Sequence, residues 1–484
     1  MNENKVVRRS IQWSGLAEIG NKLILPVSTM LLARILTPAD FGVVAICNML
    51  IFFADIISDA GFGKYLVQTD FTNDEDRVRC SNVAFWSHMA LALFIWVVVL
   101  VYRLPIACVL GCAEYANIIA IACIQLVAMS VSSVPLALLR RKFEFKKIFY
   151  VRMMTAIVPL VITIPMALVL RSYWALIIGN IVSATVSAIF LLVLSKWHPK
   201  LYYSWSILHR MFSFSFWSLC EALAHWAIFW FDTFLVSHCF MSYYLGLYKN
   251  STHIMISLFG VITATVSPVL LSVLSRMKYN EKSSFEMISN IEKLTSYLLF
   301  PIGIITYFYR QFAVMVMFGE EWIEAANIVG AWALMMVVSV VIYTFPAEAF
   351  KSRGIPKYLF CYQLSYLALL VPLCCYAIAI DFWTFVYARA LGVLLQVVLF
   401  LLFFYKFIHW SRRRFIQSLT KPIVSSIVLA AFCFVFHNKA ADNVWFELIS
   451  LLVSLAVYLI VLFLFRHDIK SSIACIQSKS IQNG

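Results

Sequence analysis

From about residue 13 the chain alternates long apolar stretches with short, mostly basic breaks. Uncharged runs occupy 80–102, 115–139, 172–195, 250–275 and 325–347. At about 1.5 Å per residue, each is long enough to cross a hydrocarbon core about 30 Å thick. A transmembrane barrel is excluded, because its strands would be about 10 residues of alternating polarity. The pattern predicts fourteen membrane helices, at 13–35, 42–63, 81–102, 115–138, 150–170, 173–195, 213–236, 250–274, 294–310, 325–349, 358–380, 383–405, 422–436 and 445–465.

Charge placement supports that count. With the N-terminus in the cytoplasm, 29 of the 38 Lys and Arg residues fall on the inner side, among them Lys5, Arg8, Arg9, Lys64, Arg140, Lys196, Lys278, Arg412 and Lys470. Cytoplasmic loops attract this excess, and a wrong helix count would scramble the alternation. Both termini are therefore expected in the cytoplasm. Composition agrees: 63% of the 484 residues are apolar and 13% are charged, where a soluble protein carries about 25% charged residues. The net charge of +14 sits in short loops between apolar runs, which argues against a nucleic-acid partner. The twelve cysteines lie mostly inside apolar runs, as small hydrophobes. Cys108 and Cys112 flank a predicted outer loop and could bridge, and no Cys/His set has zinc spacing. No cleavable signal peptide is evident, because Glu18 and Lys22 interrupt the first span.

The chain also repeats itself. Glu18-x-x-x-Lys22 recurs as Glu221-x-x-x-His225, and Arg34 and Gly42 fall opposite His238 and Gly246. Pro135 before Arg140-Arg141-Lys142 recurs as Pro346 before Lys351-Ser352-Arg353, and Trp174 and Asn180 fall opposite Trp383 and Arg389. The first and seventh spans run the same way, so these are parallel repeats about an axis along the membrane normal. The predicted fold is an all-α polytopic membrane protein with six-helix bundles at 1–195 and 213–410 around a central cleft. A cytoplasmic linker at 196–212 joins them, and two further helices and a tail fill 411–484.

One stretch carries a family resemblance. Residues 33–42, ARILTPADFG, form the turn into the second span, where Thr37 or Asp40 can cap a helix and Pro38 suits its first turn. The span ends in DAGFGKYLVQ at 59–68. Together they resemble Wzx-type polysaccharide-unit flippases of the multidrug/oligosaccharidyl-lipid/polysaccharide exporter superfamily, in the branch handling exopolysaccharide and colanic- or teichuronic-type polymers. The resemblance implies a MATE-like fold, with the first, second, seventh and eighth spans lining the cleft. It further implies an exporter of an undecaprenyl-pyrophosphate-linked oligosaccharide repeat unit across the bacterial inner membrane by alternating access. Its partners would be the lipid-linked oligosaccharide, membrane lipids, and the polymerase and chain-length machinery of surface polysaccharide.

Ionisable residues at membrane depth are costly and mark interior paths or ion pairs. Here they are Glu18, Lys22, Asp55, Asp59, Arg152, Glu221, Asp232, Glu348 and Arg389. Spacings of four and seven put Glu18 with Lys22, Asp55 with Asp59, and Glu221 with His225 and Asp232 on single helix faces. With Arg34 and Arg389 they are the candidate substrate path, the cations offsetting a pyrophosphate. The competing reading makes them local ion pairs, such as Glu18–Lys22 or Lys22–Asp55. Arg152 and Glu348, near helix ends, read as structural, and His88 and His253 as satisfied polar residues. Trp217, Trp226, Phe229 and Trp230 offer faces for sugar rings, or simply face lipid.

No GxxxxGK[ST] loop is present, and Lys64 reads as the inner end of the second span. An H⁺ or Na⁺ gradient is the expected energy source, with Glu18, Asp55, Asp59 or Glu221 titrating and no cofactor. An ion-coupled multidrug antiporter of the same fold is the alternative. An enzyme is not expected, because the outer loops are short and Gly319-Glu320-Glu321-Trp322 reads as an exposed acidic turn.

Overall fold

Backbone amides left unpaired in hydrocarbon cost several kcal/mol each, so a spanning segment must be a helix or a closed barrel. A computed structural model describes residues 24–71, 73–277, 281–353, 356–408, 412–440 and 444–482, with Trp13, Gly15, Gly20 and Lys22 ahead of them. The described elements are helices throughout. They are α1 (Ile24–Ala33), α2 (Pro38–Asp59), α3 (Phe62–Gln68), α4 (Asp74–Val101) and α5 (Arg103–Val109). There follow α6 (Ala113–Arg141), α7 (Phe145–Leu170), α8 (Trp174–Ser195), α9 (Trp205–Cys239), α10 (Ser242–Arg276), α11 (Glu281–Phe308) and α12 (Arg310–Met317). The last are α13 (Glu320–Ser352), α14 (Pro356–Ile378), α15 (Phe382–Ile408), α16 (Arg412–Ala440), α17 (Val444–Leu464) and α18 (Arg466–Gln482).

Among the described residues, twelve helices are long and apolar enough to cross a membrane. The pair α11–α12, bent by 90°, makes thirteen if it is one span, and α1 is a shorter apolar helix within the first predicted span. Thirteen of the fourteen predicted spans thus have a counterpart in chain order, and part of the first lies outside the described residues. Lys5, Arg8, Arg9, Glu18 and Lys278 lie outside the described residues. α16 departs most in length, with 29 residues against 15 predicted, and α9 has 35 against 24. No Gly or Pro interrupts 205–239, so nothing stops the helix where hydrophobicity ends.

The chain divides into two compact units, Met1–Lys249 and Asn250–Gly484. In the first, Phe62, Tyr65, Leu66, Cys80, Val83, Ala84 and Met211 share one buried cluster, which fixes α3 against α4 and α9. In the second, Tyr309, Leu429, Cys433 and Tyr458 do the same for α11, α16 and α17. α2 and α13 are the most buried of the candidate spans. Cys108 and Cys112 are free thiols, and Glu320 and Glu321 are exposed at the start of a short helical turn.

The second unit keeps α18 in place through one carboxylate. Asp468 accepts from Lys421 at 2.8 Å, Lys293 at 3.4 Å and the Tyr297 hydroxyl at 3.3 Å. Burial alone would raise the Asp468 carboxyl, but the hydrogen bonds and charges of Lys421 and Lys293 outweigh it and hold it below the ordinary carboxylate range. A carboxyl lowered by folding stabilises the protein above its unfolded value, and that contribution is lost as pH falls through the lowered one. Asp468→Asn is expected to cost about 1 kcal/mol and to flatten the acid side of a stability-versus-pH curve. Thermal unfolding in detergent across a pH series checks this. An unchanged acid slope would mean that Asp468 does not hold α18.

Candidate functional site: a charged cavity in the first unit

The turn into α2 is built by its own residues. Thr37 is the N-cap, and Pro38 takes the first helical position. The Thr37 amide donates to Asp40 Oδ2 at 3.0 Å, and the Asp40 amide returns a longer bond to Thr37 Oγ1 at 3.4 Å. This is a reciprocal capping box. The second Asp40 oxygen accepts from the Tyr173 amide at 2.8 Å, tying the turn to the start of α8. At the other end, Ala60 (φ 46°) and Gly61 (φ 79°) are both left-handed and break the helix directly after Asp59. Glycine suits that conformation, while Ala60 accepts strain. Gly61 backs onto Ser215, and Gly63 leaves space beside Asp59 and Ser133.

That space is a cavity of about 380 Å³, room for about a dozen waters. Its polar lining comes from Asp55, Asp59 and Lys64 of α2–α3, His88 of α4, Ser132, Ser133 and Arg140 of α6, Ser187 of α8 and Ser218 of α9. At its centre His88 lies between two carboxylates. Nε2 is 3.7 Å from Asp55 Oδ1, and Nδ1 is 3.7 Å from Asp59 Oδ1. The imidazole is 2% exposed and each carboxylate 27%. Ser133 donates to Asp59 Oδ1 at 2.7 Å. Neither ring nitrogen makes a hydrogen bond among the described residues.

This arrangement corrects the expectation for His88, which is not a satisfied core histidine. A neutral ring has one N–H and one lone pair, so a donor to both carboxylates would require both ring nitrogens to carry a hydrogen. The signal in the sequence was the meeting of two features: a single histidine in an otherwise uncharged run, and two carboxylates four apart in the preceding span.

The other candidates are placed as follows. Lys64 reaches Glu221 at 3.2 Å, so it is not merely the end of a helix. Both side chains are more than half exposed, and such pairs are worth little. His225 is exposed beside Phe229, with ring centres 5.3 Å apart. Asp232, on the same predicted face as Glu221 and His225, is buried instead. It accepts from the Tyr248 hydroxyl at 2.8 Å and lies 3.6 Å from Lys249, joining α9 to α10. Arg34 is exposed in the turn before Thr37, and Lys22 is half-buried. Arg389 lies in the second unit, where it donates to the Tyr366 hydroxyl at 3.3 Å and sits 5.9 Å from the Trp332 ring. Glu348 pairs with Lys351 at 2.9 Å. Trp226 and Trp230 are half-buried against α2. Trp226 donates to the Met49 carbonyl at 3.2 Å, and Trp230 packs on Phe52 of α2. Trp217 is exposed.

A second cavity, of about 430 Å³, lies among Glu75, Asp76, Arg79, Tyr202 and Arg210. Its charges are closed in on themselves: Arg210 pairs with Asp76 at 2.9 Å and Arg79 with Glu75 at 2.6 Å. The Asp55–His88–Asp59 cavity is the stronger candidate, because its central polar atoms are buried and incompletely bonded.

Comparison with known proteins agrees with this frame. The sequence profile of the family described as "Polysaccharide biosynthesis protein" matches residues 31–327, more than half of the chain. The succinoglycan biosynthesis transport protein ExoT of Rhizobium meliloti (strain 1021) is 24% identical over 336 residues, 68% of this chain and 66% of that protein. The chain thus spans just under two thirds of that relative's length. The teichuronic acid biosynthesis protein TuaB of Bacillus subtilis (strain 168) is 20% identical over 338 residues, 69% of each chain. Among solved structures, the lipid II flippase MurJ in an inward closed conformation superposes with a TM-score of 0.78 at 15% identity, covering 95% of this chain and 99% of that one.

Removing His88 leaves Asp55 and Asp59 facing the cavity with no ring between them. His88→Ala is expected to destabilise the protein by about 1–3 kcal/mol. The loss should be smaller in an Asp55→Asn/Asp59→Asn background, with a coupling of at least about 0.5 kcal/mol. A double-mutant cycle of thermal unfolding in detergent measures it. Additive losses would show that the three groups do not act together.

Proposed function

The chain belongs to the polysaccharide biosynthesis protein family, and from that premise we propose that it is a flippase for a lipid-linked oligosaccharide repeat unit. It carries an undecaprenyl-pyrophosphate-linked glycan across the bacterial inner membrane by alternating access and supplies surface polysaccharide assembly. The family match over residues 31–327 carries the proposal. Support comes from relatives named for succinoglycan transport and teichuronic acid synthesis. A helical membrane frame with a charged cavity is consistent with it. Both termini are in the cytoplasm, beside the basic loops. The bodies that rearrange are 1–195 and 213–410, linked by 196–212, with 411–484 appended. Polymerase and chain-length machinery act on the exported unit.

Size assigns the roles. A cavity of about 380 Å³ is at the small end of ligand pockets, which span about 300–1,000 Å³. It holds waters and an ion, not a repeat unit of several sugars. We therefore assign Asp55, His88 and Asp59 to coupling with an H⁺ or Na⁺ gradient. The glycan and its pyrophosphate pass along a wider path, to which Glu18, Lys22, Arg34, Glu221, His225, Asp232 and Arg389 contribute. Proton coupling is the version that the histidine favours, since sodium binding has no use for an imidazolium between the two acids.

Two experiments test this. In a deletion strain, the complete lipid-linked unit is expected to accumulate on the inner leaflet while surface polymer disappears, as read by mass spectrometry of extracted lipids. Normal surface polymer without that lipid would overturn the substrate assignment. Asp59→Asn and His88→Ala are then expected to reduce surface polymer to the deletion level while the protein stays in the membrane. Transport by Asp59→Asn that responds to a proton gradient as the wild type does would remove the coupling role and leave the flippase standing.

A further inference from the structure

The second unit buries an acid that has no partner. Glu292 of α11 is 0% exposed, and among the described residues neither of its carboxyl oxygens is hydrogen-bonded. The hydroxyl oxygens of Ser289, one turn before it, and of Ser472 on α18 are also buried and unbonded.

Contacts along α11 set the register of this junction. Tyr309 is hydrogen-bonded to Ser454 at 3.1 Å, Tyr458 donates to the Tyr297 carbonyl at 2.6 Å, and Tyr297 and Lys293 both reach Asp468. Numbers fall along α11 as they rise along α17–α18, so the two run antiparallel. The next turn brings Ser472 to the level of Ser289. α16 lies alongside in the same sense as α11, with Lys421 at the level of Lys293 and Leu429 and Cys433 at that of Tyr309. Glu292 therefore sits at the level where α16 and α18 pack on α11.

The described charges at that level are already engaged. Lys293 of α11 and Lys421 of α16 both go to Asp468 of α18. Glu348 of α13 goes to Lys351, and Glu286, six residues before Glu292 on α11 (292 − 286), is half-buried. An ionised carboxylate buried without a partner costs several kcal/mol, so Glu292 holds a proton. Asp468 is in the opposite state, its charge kept by the two lysines. One junction thus holds two acids that its surroundings push apart.

We propose that this junction is a two-sided proton switch: α16–α18 dock on α11 only while Asp468 is charged and Glu292 carries its proton. Acid removes the first condition and releases Lys293 and Lys421. Alkali removes the second: the proton leaves to water and a charge remains in a dry seam, which must then open to solvate it. The switch is a property of the second unit alone and does not depend on what the protein transports.

Thermal unfolding of the full chain in detergent tests the new half of the switch. Glu292→Gln keeps the shape of a neutral acid and cannot ionise. The unfolded chain gives up the Glu292 proton near about pH 4.3. Above that pH the native state binds more protons than the unfolded one, so wild-type stability should fall relative to Glu292→Gln as pH rises. The ratio of the two unfolding constants should change by up to about tenfold per pH unit until the folded protein ionises. A ratio that is constant from about pH 5 to about pH 8, or that moves in favour of the wild type, would mean that Glu292 is an ionised, partnered group and would overturn the switch.

Amide hydrogen exchange locates the effect and needs no variant. In the wild type, protection of residues 466–482, corrected for intrinsic exchange, should pass through a maximum and fall several-fold on both sides between about pH 4 and about pH 10. Peptides of the first unit should show no such maximum. Protection of 466–482 that changes in one direction only, or a maximum shared by both units, would leave no switch at this junction.

Discussion

A carboxylate taken out of water must find a partner, and most of what is specific in this structure follows from that. Hydrophobic burial cannot discriminate among helix arrangements in lipid, because lipid tails are as apolar as leucine. Polar contacts can. Asp40 ties the α1–α2 turn to the start of α8, Asp232 ties α9 to α10, and Asp468 ties α18 to α11 and α16. In each case a carboxylate supplies more acceptor sites than its own helix can use and spends the surplus on a neighbour. Asp55 and Asp59 are the exception. Their partner is an imidazole ring 3.7 Å away, not a permanent cation or a backbone amide.

The glycines complement the charges. Where a carboxylate joins helices through a long side chain, Gly42 and Gly246 join them with no side chain at all. The first kind of contact fixes distance and direction, while the second fixes only that nothing intervenes. A protein that must hold some helices and release others has use for both. The asymmetry along α2 follows: capped and tightly packed at Thr37–Gly42, broken and wet at Asp59–Lys64.

Much of this was legible in the sequence, for identifiable reasons. Fourteen spans emerged because the membrane imposes one length and one composition, and the basic loops imposed their order. The capping box at Thr37 could be read from residue types three apart. Gly42 and Gly246 were visible as a repeated pair, though not as a contact, since a repeat gives equivalence and not proximity. His88 was misjudged for the same reason. Its partners lie 33 and 29 residues away (88 − 55 and 88 − 59), and no periodicity within one helix reports on its neighbour. Asp232 shows the converse error. Spacing put it on the face of Glu221 and His225, and it does share their side of the helix. Farther along, however, that side is covered by α10, so the same face is exposed at one end and buried at the other.

Symmetry explains why one contact can serve two ends. The repeats run parallel, so equivalent turns arrive at the same face of the membrane, and a two-fold arrangement lets each turn dock in the hollow of the other. Mutual docking doubles the penalty for misfit. A single methyl on either glycine separates both turns, because neither contact survives without the other. The cavity at the other end of α2 is roomier: an imidazole stands 3.7 Å from each of two carboxylates beside about 380 Å³ of open space. The two features sit at opposite ends of one 22-residue helix.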